Sequence, residues 1–392
     1  MLSASKLTKS KFNVMIAPNF EGEEQMRLRQ DRLVTRLWCD RRTLLRGIAA
    51  SAGSVGLIAS KDAVGEVSGE ATSFAAADAN TVQNEVTHRT LPINGLRFHI
   101  AEQGQGPLVL LCHGFPECWY SWRHQLPALA GAGFHAVAPD MRGFGQTEAP
   151  DDIASYTIVH NVADMVQLVS ALGEQQAVII GHDWGAPVAW NAALLRPDTF
   201  RAVVAMSVPY RVRPPVAPLK ALREAGTTTF YWQYFRTPGV AEAEFEGDIA
   251  RTVRTLLYGK GISLMMKSGE GFLTGTTIPE QLPPWLTQED ITYYIETFKR
   301  TGYRGGLNWY RNIDRNWELS AAWEGAKIRQ PALFIAGSED GVVKFAAKPL
   351  EQMPSTVPGL KKALLIPGAG HWIQQERVAE VNAAVLEFIR SV

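Results

Sequence analysis

Cysteine is nearly absent: the chain has three in 392 residues, at positions 39, 112 and 118. Three scattered thiols make no disulfide framework, so packing has to hold the fold. Cys112 and Cys118 flank a turn and read as ordinary buried thiols. A dominant charge is missing too, with 39 Lys plus Arg against 39 Asp plus Glu, which leaves no electrostatic ground for a nucleic-acid partner. No His-Glu-x-x-His, Cys-x-x-Cys or Gly-x-x-x-x-Gly-Lys occurs, and those are the spacings that metal and nucleotide chemistry use. The run Asp140-Met141-Arg142-Gly143-Phe144-Gly145 contains Gly-x-Gly but lacks the third glycine of a dinucleotide fingerprint, and reads as a tight loop. No cofactor and no metal are therefore expected.

What is present divides into an extension and a regular part. Within residues 1–80, Asp40-Arg41-Arg42-Thr43-Leu44-Leu45 is a twin-arginine pattern, and the weakly apolar run from Ile48 to Ser60 follows it. That run is shorter than the ~20 apolar residues a bilayer span requires. A Gly/Ala/Ser-rich stretch then reaches about Asn80, with small-x-small cleavage patterns at Ala75-Ala76-Ala77 and Ala77-Asp78-Ala79. The expectation is export to the periplasm or exterior, with this extension removed or disordered. The alternative is a disordered tail with two accidental arginines on a cytoplasmic protein.

From Val86 onward, short apolar runs at Leu96 to Ile100, Leu108 to Cys112, His135 to Ala138, Ala177 to Ile180 and Ala202 to Ala205 alternate with helical patterns. Ser155 to Leu172 is one such helix, with Ile158, Val162, Met165, Val166 and Val169 recurring at three and four residues. Alternation of this kind predicts a mainly parallel sheet covered on both faces. The pattern breaks at Pro209. Residues 209–327 are rich in Trp, Tyr, Phe and Arg, with helical periodicity and no buried-strand runs, and are expected to form a helical lid inserted into the core. Residues 81–208 and 328–392 are expected to make that core, completed by strands at Pro331 to Ala336 and Lys361 to Pro367 and a helix at Arg377 to Ser391.

The segment Gly181-His182-Asp183-Trp184-Gly185 follows a strand and opens a helix. This is the Gly-x-nucleophile-x-Gly pattern of a strand-to-helix elbow, with a carboxylate where hydrolases usually carry serine. A serine attacks a carbonyl supplied by its substrate and needs a base to do so. A free aspartate, with pKa about 3.9, is ionised at neutral pH and can displace a leaving group from saturated carbon unaided. The ester then sits on the enzyme, so water must attack Asp183, and a histidine is needed for that second step. Gly181 and Gly185 are expected because a Cβ at either offset would clash at so tight a turn. Taken by itself, Asp183 also reads as the N-cap of the following helix.

Context favours the nucleophile. The order nucleophile, acid, histidine belongs to this architecture. The acid is expected at Asp340, which stands closest to the turn after one late strand in Gly337-Ser338-Glu339-Asp340-Gly341, with the adjacent Glu339 and the more distant Asp314 as alternatives. His371 follows the next strand in Gly368-Ala369-Gly370-His371. Ligands collect beyond such carboxyl ends, and no other histidine follows His182. His113-Gly114-Phe115-Pro116-Glu117 stands after an earlier strand where a second oxyanion donor is kept. The amides of Phe115 and Trp184 are thus expected to point at the ester carbonyl.

Four segments together resemble the soluble, α/β-hydrolase-type epoxide hydrolases: His113 to Glu117, Gly181 to Gly185, the run from Gln233-Tyr234-Phe235 to Glu244, and Leu307-Asn308-Trp309-Tyr310-Arg311-Asn312. The resemblance covers about His88 to the C-terminus and leaves out the extension. It implies an α/β-hydrolase fold with an eight-stranded sheet and inserted lid. It also implies an epoxide and water as partners, with Asp183 as nucleophile, Asp340 and His371 as the water-activating pair, and Tyr234 and Tyr310 as phenols that polarise the epoxide. Phe115, Trp184, Trp309 and the two tyrosines would contact substrate. The phenols have a physical use: ring opening releases an alkoxide, a poor leaving group that needs a proton donor. Two other readings remain at this point. A haloalkane dehalogenase shares the Asp-Trp pair, although a side-chain amide commonly follows its His-Gly pair where Phe115 stands here. A non-catalytic receptor could also keep the pocket.

Overall fold

A computed structural model describes residues 85–392. The twin-arginine pattern and the expected cleavage sites lie outside the described residues.

The core is one eight-stranded sheet: β1 Thr87–Ile93, β2 Leu96–Gln103, β3 Leu108–Cys112, β4 His135–Pro139, β5 Ala177–His182, β6 Phe200–Met206, β7 Ala332–Gly337 and β8 Leu360–Ile366. Their spatial order is β1-β2-β4-β3-β5-β6-β7-β8. Only the β1/β2 and β2/β4 pairs are antiparallel; from β4 to β8 every pair is parallel. The central strands are apolar along their whole length because both faces are covered. Leu110, Ile179, Val203 and Phe334 face one core cluster with Met165, Leu168 and Trp190, from helices Ile158–Ala171 and Gly185–Leu195. Leu111, Ile180, Val204 and Ile335 face the other, with Leu126 of helix Gln125–Gly131 and Val385 and Phe388 of helix Val378–Arg390.

The helix expected from Ser155 starts later. Thr157 caps it, its hydroxyl accepting from the His160 amide at 3.4 Å, and residues Ile153–Tyr156 form a separate 3-10 turn. β1 is absent from the apolar runs of the sequence because it is an edge strand with little to bury: its first four residues are exposed.

Between β6 and β7 the chain forms seven α-helices, from Pro218–Glu224 to Ile313–Leu319. Their apolar faces join the first core cluster through Phe235, Phe245, Leu256, Ile291 and Leu307. Polar ties fix them to the sheet side. Thr287 and Asp290 form a capping box at the start of helix Gln288–Thr301. The second carboxylate oxygen of Asp290 accepts from Tyr120 and from Arg123, both at 3.0 Å. The Trp309 indole donates to the Arg142 carbonyl at 3.1 Å.

Candidate active site

β5 ends at His182, and Asp183 takes a left-handed φ of 50°. Such backbone costs about 1–3 kcal/mol for a non-glycine residue. The neighbours hold it there. A Cβ on Gly181 would stand 2.0 Å from the Gly185 carbonyl oxygen, and one on Gly185 would stand 1.9 Å from that of Cys112. Glycine at both offsets lets the helix start directly against β3 and β5, so the turn stays sharp and the Asp183 carboxylate projects from the strand end.

Gly114 has a more local purpose. A Cβ there would lie 2.3 Å from Asp183 Oδ1 and 2.6 Å from the Trp184 amide nitrogen. Without it the Phe115 amide donates to Asp183 Oδ1 at 2.7 Å. Of the two amides expected at this oxygen, that of Phe115 is the one hydrogen bonded to it here.

The other oxygen faces His371. Nε2 lies 3.5 Å from Asp183 Oδ2, and Nδ1 lies 3.0 Å from Asp340 Oδ2. Asp340 caps the helix after β7, its Oδ1 accepting from the Val342 amide at 2.8 Å. Asp183, His371 and Asp340 therefore form a line in which the two carboxylates are bridged by one imidazole. Burial works against a charged His371, but the Asp340 charge, with hydrogen bonds that the ring donates to both carboxylates, outweighs it and raises the imidazole well above its ordinary range. Burial likewise opposes ionisation of Asp340, and the facing His371 reverses that, leaving its carboxyl below the usual value. The two carboxylates together favour a proton on the ring.

The His371 loop is pinned from behind. Its carbonyl oxygen lies 2.8 Å from His182 Nε2 and accepts from the Ser207 hydroxyl at 3.1 Å. His182 Nδ1 lies 2.9 Å from Glu117 Oε2, and Glu117 Oε1 accepts from Gln374 and Gln375, each at 3.0 Å. Glu117 and His182 are both fully buried.

Above Asp183 is a cavity of about 270 Å³, bounded by Trp184, Leu194, Trp317 and Phe345 and by the tyrosines 231 and 310. The two phenol rings are neighbours, with centroids 5.8 Å apart. Burial raises both hydroxyls, and the Asp183 charge raises them further, so both remain protonated.

Residues 107–378 match the family model of the alpha/beta hydrolase fold. The chain is 46% identical over 314 residues to epoxide hydrolase A of Mycobacterium tuberculosis, covering 77% of this chain and 97% of that protein. It is 41% identical to an epoxide hydrolase of Caballeronia sordidicola, covering 76% and 92% respectively. Among solved structures, epoxide hydrolase A of Mycobacterium thermoresistibile matches with a TM-score of 0.75 at 46% identity, over 78% of this chain and 98% of that one. The chain belongs to the α/β-hydrolase-fold epoxide hydrolases. Its activity is the addition of water to an epoxide, giving a vicinal diol.

The structure brings Asp183, Asp340, His371, Tyr310, the Phe115 amide and the Trp184 ring together in this epoxide hydrolase. Three expected contacts fall elsewhere. Tyr234 does not reach the cavity: its hydroxyl donates to Glu244 Oε2 at 2.9 Å, and Glu244 also accepts from the amides of Phe272 and Leu273. The phenol beside Tyr310 is Tyr231, three residues earlier on the short helix Tyr231–Phe235. Trp309 sits behind Trp184, 1% exposed, with ring centroids 6.0 Å apart and its indole held by Arg142. It supports the wall rather than forming it. The Phe115 side chain packs into a block of aromatic rings rather than lining the cavity.

The resemblance in sequence implied Tyr234 rather than Tyr231, and no sequence pattern gave Glu117 or His182 a part. A five-residue helix carries too little periodicity to say which phenol faces inward. Glu117 and His182 lie 65 positions apart and show no shared pattern until the fold joins them.

Proposed function

We propose that this epoxide hydrolase works through a covalent ester on Asp183, with Tyr231 and Tyr310 as the proton donors. Asp183 Oδ2 attacks a ring carbon, forming a carbon–oxygen bond as the ring bond breaks. The departing oxygen takes a proton from Tyr231 or Tyr310, leaving a tyrosinate. Oδ1, held by the Phe115 amide, becomes the ester carbonyl oxygen.

Esterification removes the Asp183 charge, and with it part of what keeps His371 protonated. The ring's proton passes to the tyrosinate, and the neutral His371 then takes a proton from water as the hydroxide adds to the ester carbon. The oxyanion forms against the Phe115 and Trp184 amides. On collapse the diol oxygen leaves with the proton from His371, and the proton left on the Asp183 carboxyl returns to His371. Asp340 orients the ring and balances the imidazolium. Glu117, His182 and Ser207 act as positioning residues through the His371 carbonyl. The helical segment 209–327 acts as the lid that carries both phenols over the strand ends and keeps bulk water from the ester.

The observation carrying this reading is the division of labour on one carboxylate. One oxygen is held by the Phe115 amide at 2.7 Å, and the other faces His371 at 3.5 Å. A single turnover in oxygen-18 water, with enzyme in excess over a terminal epoxide, tests it. The label is expected in Asp183 and not in the diol. Label delivered straight to the diol would mean that water attacks the epoxide directly.

A further inference from the structure

Two aromatic residues flank the Asp183 carboxylate, and the space beyond them differs. On the Trp184 side the cavity continues between Leu194, Trp232, Trp317 and Phe345. On the Phe115 side, aromatic rings fill the volume. The Phe115 centroid lies 6.1 Å from those of Phe235 and Tyr303 and 6.4 Å from that of Phe245. Phe235 and Phe245 are 5.7 Å apart, and Phe245 and Tyr303 are 5.3 Å apart. Phe235, Phe245 and Tyr303 are each at most 1% exposed. Nor is there slack behind Phe115: a Cβ on Gly306 would stand 2.5 Å from its Cδ2.

An epoxide presents two carbons, and substituents on them diverge from the ring. With the ring oxygen held by Tyr231 and Tyr310 and one carbon facing Asp183, two long substituents would need space on both sides. The Phe115 side has none without displacing close-packed rings, and overpacking such a region is unfavourable.

We propose that this enzyme selects epoxides carrying their bulk on one side of the ring, that is, terminal epoxides with a single long apolar substituent lodged between Trp184 and Phe345. Phe245, with Phe235 and Tyr303, determines that specificity by filling the space a second substituent would need. This rests on the assignment of Asp183, Tyr231 and Tyr310 made above.

The test compares two isomers made from straight-chain dodecenes, one with the epoxide at the chain end and one with it at mid-chain. They have the same composition and similar hydrophobicity. The expected kcat/KM ratio favours the terminal isomer by roughly 100-fold, the scale on which a filled apolar pocket discriminates. Phe245→Ala, which touches no reacting group, is expected to narrow that ratio at least tenfold (about 1.4 kcal/mol) by raising turnover of the mid-chain isomer while the terminal isomer keeps its kcat. Should that variant fail to fold, the wild-type ratio still decides, and Phe245→Leu gives a smaller shift in the same direction. Equal turnover of the two isomers by the wild type overturns the inference and leaves the ester mechanism standing. Turnover of both isomers with no oxygen-18 in Asp183 overturns the mechanism, and this inference with it.

Discussion

The two tyrosines of helix Tyr231–Phe235 give the sharpest contrast. Tyr231→Phe removes a hydroxyl that burial and the Asp183 charge keep protonated, and that the proposed mechanism uses to protonate the leaving oxygen. Loss of one such donor from a preorganised site costs roughly 10²- to 10³-fold in rate. Tyr310 remains as the second proposed donor, so a residual rate is expected, and Tyr231→Phe with Tyr310→Phe together should abolish measurable turnover. Tyr234→Phe removes a hydroxyl of similar chemistry but different address. It breaks one hydrogen bond to Glu244, whose carboxylate keeps the amides of Phe272 and Leu273. That bond is half-buried, so about 1 kcal/mol of stability is at stake, with kcat unchanged. The assay is single-turnover ester formation for each variant beside its denaturant midpoint. A Tyr234→Phe enzyme that lost turnover while Tyr231→Phe kept it would refute the assignment.

Three further outcomes follow from the same geometry. Gly114→Ala places a methyl within 2.3 Å of Asp183 Oδ1; displacing the Phe115 amide should lower kcat roughly 10²- to 10³-fold, and wild-type kcat would argue against an oxyanion role for that amide. Asp340→Asn removes the charge that does most to raise His371. His371 must be neutral to accept a proton, so ester hydrolysis rises with pH through its pKa, and in the variant that rise should move to lower pH. The plateau should drop roughly 10³- to 10⁴-fold as ring orientation is lost, and an unmoved limb in the pH profile of ester hydrolysis would count against the pairing. Glu117→Leu strands His182 Nδ1 and the amides of Gln374 and Gln375 in a fully buried place. A loss of about 3 kcal/mol in unfolding free energy is expected, and an unchanged midpoint would show that the network does not hold the loop.

The parts of this site legible in the sequence share one property: each follows an apolar strand whose end the fold makes into a site. Asp183 after β5, Asp340 after β7 and His371 after β8 could be placed from chain order and strand ends alone, because a parallel sheet aligns those ends. The glycines of the elbow were legible for a steric reason that the 1.9 Å and 2.0 Å approaches make explicit. The sheet order, with β4 inserted between β2 and β3, depends on pairings between distant strands. β1 escaped notice because an exposed edge strand needs no apolar alternation. Choosing among the tyrosines failed for a related reason: Tyr231 and Tyr234 differ in their surroundings, not in chemistry or local pattern, and Glu244, ten positions from Tyr234, decides between them. Trp309 shows the same limit, since an indole that lines a cavity and one that backs another indole look identical in a sequence.

The most direct test of the account uses the step that needs His371. With His371→Gln, ring opening by Asp183 proceeds and ester hydrolysis stalls, so intact-mass spectrometry after mixing with a terminal epoxide should find the protein heavier by one substrate molecule. Digestion should locate that mass on the peptide containing Asp183. An unmodified protein in a reaction that still consumes epoxide, or an adduct on any other residue, would contradict the ester at the centre of this account.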